Sequence, residues 1–370
     1  MRVSHEHAWD LSAKEAIALQ RALARRVVRR GSPREAAVRH IAGADVAFDR
    51  PHGRAVGAVV VLAYPELRLV EEVTVESRIA FPYVPGLLSF RETPVLLTAF
   101  ERLRTAPDLL MVDGHGYAHP RRFGYACHLG VLLDVPTIGV AKSRLIGAHA
   151  TVPLAQGARA ALTDGDEVIG SLLRTRERVR PVYVSVGHRV GLAAAEQWVL
   201  RSSRGYRLPE PARLADALSR RAKHRMLDAT LEIVIEQRAG EHGRWEWDSD
   251  AAEVQYQHEL DPMPTHYGSS VDIINTADGE LLDVIIVDAE QRARGERMSV
   301  RVVDVLERSD RDDKLLAVPL DVDPNSAATR RRLARARKAS WAWYVARESP
   351  VVRWAGEDAA IDLIRRCAAP

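Results

Sequence analysis

Apolar positions over residues 11–30 recur with a helical period and close on Arg25, Arg26, Arg29 and Arg30, which predicts an amphipathic helix with cations where its dipole favours them. From Ile41 the pattern changes to strands: Ile41–Phe48, with Asp45 among small and apolar neighbours, then the valine-rich stretches Arg54–Tyr64 and Leu67–Arg78 around a turn at Pro65. Connections this short favour an antiparallel meander. A loop with Pro82 and Pro85 follows, and then helix and strand alternate: helix 91–106, strand 107–113, helix 122–134, strand 136–141. This βαβ succession predicts a parallel region on the sheet of the meander. Further strands are expected near Asp166–Arg174 and Pro181–Val186, and helices from Gly191 and from about Glu210.

Beyond Lys223 to Asp228 the pattern becomes strand-dominated, with Leu231–Gln237, Arg244–Trp247, Val271–Asn275, Asp283–Val287, Met298–Leu306 and Lys314–Leu320. Helices near 326–346 and 357–367 close the chain. Short strands followed by helices read as a small β-barrel with helices packed on it. Two domains are therefore expected, 1–223 and 224–370, and 370 residues suffice for two cores.

Charge sharpens that division. Residues 1–223 hold 33 Lys and Arg against 22 Asp and Glu, and residues 224–370 hold 20 against 28. A net +11 suits a polyanion such as nucleic acid, whereas a net −8 suits cations. No apolar run approaches a membrane span and the start has no signal-peptide core, so a cytoplasmic protein without a membrane partner is expected. With only Cys127 and Cys367, a disulfide framework and a cysteine-built metal site are both excluded.

Candidate chemistry centres on PDLLMVDGHG, residues 107–116, where a buried strand pattern stops at Asp113 and glycines follow. A carboxylate at a strand end with backbone free to approach is a common way to hold a divalent cation, although Asp-Gly is also an ordinary turn. The loop FPYVPGLLSFRE, residues 81–92, presents Tyr83 and Val84 on a rigid tip that could wedge between stacked bases or pack on its own core. Glu92 falls where the next helix is expected to start, a position a helix dipole also favours.

In this order, AGADVAF, FPYVPGLLSFRE, MVDGHGYAHPRRFGYACHLG, VPTIGVAKSRL, PVYVSVGHRV and YRLPEPARLAD closely resemble endonuclease V over residues 5–221. The resemblance implies a mixed α/β sheet of ribonuclease H-like fold with flanking helices. It also implies an enzyme that recognises deoxyinosine in DNA and, with Mg²⁺ or Mn²⁺ in its place, cuts the second phosphodiester bond 3′ to the lesion; some relatives prefer RNA. By that resemblance Asp45 and Asp113 hold the metal, Glu92 and Asp216 complete the acidic site, and Lys142 lies near the scissile phosphate. Tyr83 is the wedge, with Gly86, Leu88, Gly114, Gly116, His119 and Gly124 around the lesion. His115 is left without a role. One metal or two stays open, and the whole reading requires Asp45 and Asp113 to converge within a few ångströms with no lysine filling the gap between them.

RWEWD, THYG with ADGELLDVIIVD, and LERSDRDDKLLAVPLDVDP resemble family I inorganic pyrophosphatases over residues 230–365. The resemblance implies a five-stranded OB-type barrel whose acidic pocket binds Mg²⁺ and pyrophosphate. Glu236, Glu246, Asp278, Glu280, Asp283, Glu307 and Asp312 stand at its carboxylate positions, and Arg244, Tyr267, Lys314 and Tyr344 at its phosphate-contacting ones. Glu280 and Glu307 replace aspartates, Arg244 and Val345 replace lysines, and an arginine expected near Gln257 has no counterpart. A weakened pyrophosphatase, an inactive metal- or phosphate-binding module and a structural appendage remain open. So do pyrophosphate hydrolysis as the main activity, targeted by the first half, and a non-enzymatic lesion binder.

Overall fold

The computed structural model describes residues 7–51, 53–79, 81–248, 251–277 and 279–368. The chain divides into two compact units, 1–223 and 224–370. The division falls at the boundary expected from the charge change at Lys223 to Asp228, and it lies inside a continuous helix, Glu210–Asp228. Among the described residues no helix is long and apolar enough to cross a membrane, and both cysteines are free and buried.

In the first unit, helix α1 (Ala13–Ala24) opens on a capping box in which Ser12 and Glu15 satisfy each other's end of the helix. It stops before the arginines expected to finish it. Val27 and Val28 are β-branched and Gly31 and Pro33 break the helix, so Arg29 lies in coil, stacked over Tyr117 at 4.0 Å. Strands β1 (His40–Asp49), β2 (Arg54–Ala63) and β3 (Arg68–Arg78) form the antiparallel meander. β2 lies between its neighbours with nearly every side chain buried, which explains its unbroken apolar run; β3 is an edge and carries Arg68, Glu71, Glu72 and Glu76.

Helix α2 (Leu88–Arg102) leads to β4 (Leu109–Val112), α3 (Tyr125–Leu133) to β5 (Thr137–Ala141), and both strands run parallel to β1. α3 is buried on all sides, as its largely apolar sequence requires, and its one histidine, His128, is hydrogen-bonded to Ser89. Strands β6 (Ala148–His149), β7 (Arg159–Asp164), β8 (Glu167–Leu173) and β9 (Val182–His188) extend the sheet antiparallel, giving the order β3-β2-β1-β4-β5-β9-β8-β7-β6. The sequence pattern missed β6 and β7, which are short and largely exposed. Helices α4 (Leu192–Arg201) and α5 (Glu210–Asp228) complete the mixed α/β unit.

The second unit contains a closed five-stranded barrel. Strands β10 (Thr230–Gln237), β13 (His266–Ile274), β14 (Leu281–Ile286), β16 (Lys314–Pro319) and β15 (Arg297–Arg308) pair in that order, and β15 returns to β10. A hairpin of β11 (Arg244–Asp248) and β12 (Glu253–His258) stands apart, and β17 (Val351–Trp354) adds to β15. β12 and β17 were not expected, being polar or very short. Helix α6 (Ala327–Val345) buries Leu333, Ala336 and Tyr344 in one apolar cluster of the barrel, and α7 (Glu357–Ala368) buries Leu363 and Ile364 in another.

One glycine decides how α5 meets the sheet. A Cβ on Gly43 of β1 would lie 1.8 Å from the Pro211 carbonyl oxygen, so only hydrogen at this position lets the start of α5 lie on the strand. Gly43→Ala is expected to cost at least about 2 kcal/mol and to lower the thermal midpoint, because backbone has to move. Differential scanning calorimetry checks this; an unchanged midpoint would remove the contact.

Candidate active site

Parallel register brings the first two carboxylates together. Ala44 of β1 pairs with Val112 of β4, so Asp45 and Asp113 follow as neighbours, Asp113 at the carboxyl end of β4 and Asp45 midway along β1. The third comes from α5. Pro211 rests on Gly43, and Asp216 and Ser219, three residues apart on one helical face, are held over Asp45. One carboxylate oxygen each from Asp45, Asp113 and Asp216 lies within 4.8 Å of the others. Among the described residues this is the one such group of three or more potential ligands.

The cluster is electrostatically strained. Burial raises the pKa of Asp45, with Asp113 and Asp216 adding to the rise, while a hydrogen bond donated by the Ser219 hydroxyl opposes it. Asp113 is likewise raised by burial, and Lys142 opposes the shift. The Lys142 ammonium bridges Asp113 at 2.5 Å and Asp216 at 2.9 Å. Burial acts to lower the lysine's pKa, and the two carboxylates overcome it. Arg220 makes a second ion pair to Asp216 at 2.9 Å. Lys142 thus joins Asp113 to Asp216 and makes no ion pair with Asp45 among the described residues, so it does not bridge Asp45 to Asp113, while an ammonium and a divalent cation compete for the Asp113 and Asp216 oxygens.

Glu92 does not start its helix: α2 begins at Leu88, which puts Glu92 in the second turn, buried beneath the cluster and away from the dipole's end. Burial first, then Asp45 and Asp113, raise its pKa well above the usual carboxylate range. Its oxygens lie outside the three-carboxylate group. Three acidic oxygens from separate elements, with a fourth buried acid behind them, fit the hard-oxygen preference of a divalent cation such as Mg²⁺.

A cavity of about 190 Å³ begins one residue from Asp113, because Gly114 lines it, with Tyr83, Gly86, Leu88, His119 and Gly124. Gly116 is absent from the lining. A Cβ there would lie 2.1 Å from the Val186 carbonyl, and one on Gly124 would lie 2.4 Å from the His115 carbonyl, so these glycines lock loop 114–124 together as β9 and the loop close up. Tyr83 is 68% exposed at the rim.

Gln20 went unnoticed in the sequence, yet it ties the cavity's two walls. Fully buried on α1, it donates from Nε2 to the Gly86 carbonyl at 3.1 Å and the Phe123 carbonyl at 2.6 Å, and its Oε1 accepts from Arg121. Arg121 also donates to the Gly86 carbonyl, at 2.7 Å. The third donor to that oxygen is His119 Nε2 at 3.1 Å, while His119 Nδ1 accepts from the Arg121 backbone N–H. Both ring nitrogens are therefore engaged, and burial with Arg121 pushes the imidazole down to about 4, so His119 shapes the cavity as a neutral group. His115, in turn, donates from Nε2 to the Ser143 carbonyl at 2.9 Å and leaves Nδ1 buried without a partner. A single buried glutamine in a helix gives no sequence signal that separates it from a core polar residue.

In the second unit, Arg244, Tyr267, Glu280, Asp283, Asp312, Lys314 and Tyr344 line a cavity of about 400 Å³. Arg308, which the sequence did not single out, joins them and pairs with Asp312 at 2.6 Å. Lys314 binds both Asp283 and Asp312. Glu236 is buried beside the barrel, accepting from Trp247 N–H and Ser269, and burial pushes it up to about 7. Glu246 pairs with Arg244 at 3.0 Å, and Glu307 is drawn to Arg353 at 2.7 Å; neither lines the cavity. Asp278 lies outside the described residues.

Comparison with known proteins agrees with this division. The family model for endonuclease V matches residues 21–217, and that for inorganic pyrophosphatase matches residues 233–369. The chain is 53% identical to an endonuclease V of Gloeobacter violaceus over 214 residues, covering 56% of this chain and 85% of that protein. The crystal structure of an endonuclease V from Streptomyces avermitilis is 43% identical with a TM-score of 0.56, covering 60% of this chain and 98% of that one. An endonuclease V of Ciona intestinalis, solved with a 24mer DNA containing an inosine followed by a ribo-adenosine, is 28% identical with a TM-score of 0.50; the match covers 57% of this chain and 97% of that one.

Cation binding at the carboxylates is expected to stabilise the protein, by about 2.7 kcal/mol at a hundred times the dissociation constant. Thermal melts with and without Mg²⁺ should show the rise, Asp113→Ala should abolish it, and Lys142→Met should enlarge it by removing the competitor. A rise retained in Asp113→Ala would place the cation elsewhere.

Proposed function

The chain belongs to the endonuclease V family, and from that premise we propose that it is a divalent-cation-dependent endonuclease of DNA repair that recognises deoxyinosine and hydrolyses the second phosphodiester bond on its 3′ side. The observation that carries this reading is the adjacency of Asp113, in the carboxylate cluster, and Gly114, in the cavity wall. A flipped base in the cavity would leave its 3′ backbone close to Asp45, Asp113 and Asp216. The Ciona relative's complex with inosine-containing DNA supports the same substrate.

Asp45 and Asp113 would hold Mg²⁺, or Mn²⁺ in its place, with Asp216 beside them and Glu92 buried behind. The chemistry such a cation supplies is a lowered pKa for an attacking water and stabilisation of charge on the leaving oxygen. Lys142, released from one of its carboxylates, would be free to meet a phosphate oxygen. Hypoxanthine lacks the exocyclic amino groups of adenine and guanine, so a small cavity with backbone walls can favour it. Exposed Tyr83 at the rim suits a side chain that fills the gap a flipped base leaves.

For the barrel we favour a phosphate-binding module over a hydrolase. Arg308 projects into the cavity, Lys314 engages Asp283 and Asp312, and Glu307 is held by Arg353, so the chain's own cations occupy much of its acidic chemistry. Calorimetry is expected to show pyrophosphate binding with little dependence on Mg²⁺. Mg²⁺-dependent release of phosphate by the full chain at enzymatic rates would reverse this and restore the pyrophosphatase reading.

The main test maps nicks in inosine-containing DNA and RNA with and without Mg²⁺. Asp113→Ala should lower nicking at least about a hundredfold with lesion binding retained. Tyr83→Ala should weaken lesion binding by about 1–3 kcal/mol without altering the Mg²⁺-induced thermal shift. Strong nicking by the first variant, or unchanged lesion affinity in the second, would remove the assigned roles.

A further inference from the structure

The second unit is acidic overall, yet its positive charge is concentrated on one helix. α6 carries Arg330, Arg331, Arg332, Arg335, Arg337 and Lys338 and not one acidic residue, whereas the rest of residues 224–370 holds 14 basic against 28 acidic residues. Arg337 is tied to Asp304 at 2.6 Å. The other five make no ion pair among the described residues.

Helical geometry sorts them. Thr329, Leu333, Ala336, Ser340 and Tyr344 face the barrel core, and at 100° per residue Arg331, Arg335 and Lys338 lie on the opposite side, all exposed. Ala328, Ala334 and Ala342 separate them on that face, so nothing bulky screens the charges. A rise of 1.5 Å per residue spreads the three head groups over roughly 10 Å, the axial span of about three phosphates at 3.4 Å per nucleotide of a strand.

This arrangement works against the helix. Like charges four residues apart repel, as at Arg331 and Arg335, and Arg330 closes the first turn, where the dipole disfavours a cation. Acids at these positions would relieve both effects. The feature that reconciles the charges with the fold is an external polyanion.

We propose that the outward face of α6, formed by Arg331, Arg335 and Lys338 with Arg330 and Arg332 beside them, binds the phosphate backbone of nucleic acid independently of sequence. Beside it, Arg332 and Arg335 border a cavity of about 270 Å³ that Thr265 also lines, and the Thr265 hydroxyl oxygen has no partner. The cavity's acids, Asp288 and Glu290, are engaged by Arg292. An anionic membrane fits less well, because a surface-seeking helix needs a row of bulky apolar residues flanking its cations, and here Leu333 and Tyr344 are buried and Trp341 and Trp343 packed on the barrel cluster, which leaves Val345 at the last residue exposed. The surface is built from residues of the second unit alone and shares none with the carboxylate cluster, so it would hold nucleic acid whether or not a lesion is present.

The test uses the full chain and undamaged duplex DNA in EDTA, so that no cleavage occurs and the result does not depend on the nuclease assignment. Arg331→Gln, Arg335→Gln and Lys338→Gln combined should lower affinity at least about tenfold at low salt. The slope of log affinity against log salt should fall by about 2 to 3, as expected for three lost phosphate contacts. Arg331→Lys with Arg335→Lys, which keeps the charge, should retain both affinity and slope. The thermal midpoint of the triple variant should be equal to or above the parent's, since repulsion is removed. Unchanged affinity and slope would overturn the proposal. So would an affinity loss with an unchanged slope, or loss of binding to phosphatidylserine vesicles while duplex binding persists.

Discussion

The first unit depends on two carboxylates being neighbours on parallel strands. Pairing of Ala44 with Val112 fixes Asp45 beside Asp113, and burial raises the pKa of both. Two buried like charges persist only if something positive answers them. Lys142 supplies part of that answer from the next parallel strand, and the Ser219 hydroxyl stabilises the remaining carboxylate. The rest of the sheet serves this placement: β2 is buried along nearly its whole length beside β1, and Gly43 gives α5 room to bring Asp216 and Ser219 over the pair. A site built this way is stiff, because shifting any of its carboxylates means shifting a strand or a helix.

In the proposed function the same stiffness would link recognition to cleavage. Asp113 belongs to the acidic cluster and Gly114 to the cavity, so the separation between a base bound there and the carboxylates would be set by a single peptide unit. The opposite wall, the loop with Tyr83 and Gly86, is anchored by three donors on one carbonyl, from Gln20, Arg121 and His119. With His119 neutral and both its nitrogens engaged, the wall keeps its shape across the ordinary pH range. In the proposed function, where the bond is cut relative to the lesion would then be a property of backbone geometry rather than of a movable side chain.

Much of this was legible in the sequence, for identifiable reasons. Long apolar runs, such as β2 and the strand before Asp113, reveal themselves because burial on both faces leaves a continuous signal. Short polar strands such as β6 and β12 do not, since they are held by neighbours rather than by composition. Helix ends were misplaced where local chemistry intervened: β-branched and breaking residues stopped α1 early, and the early start of α2 moved Glu92 from a dipole position to a buried one. Glycines were read as lying around the lesion; Gly124 lines the cavity and Gly116 does not, and both are also needed by their own backbone neighbours. Gln20 acts through Phe123 and Arg121, more than a hundred residues away, and sequence spacing carries no trace of such contacts, whereas Arg308 pairs locally with Asp312 and its place in the barrel cavity is what the spacing does not show.

Net charge proved the coarsest guide. A total of −8 over residues 224–370 assigned that half to cations, yet its charges are segregated, and α6 is entirely basic. The helix tolerates this because its stability comes from the face it buries, Leu333, Ala336 and Tyr344 in the barrel cluster, rather than from its surface pairs. Surface charge on such a helix is free to be set by something other than the fold. Where the fold does use a cation, at Arg337, it provides the acid, Asp304, for it. The contrast between that satisfied arginine and its unpaired neighbours on the same helix separates charge that holds the structure from charge directed outward.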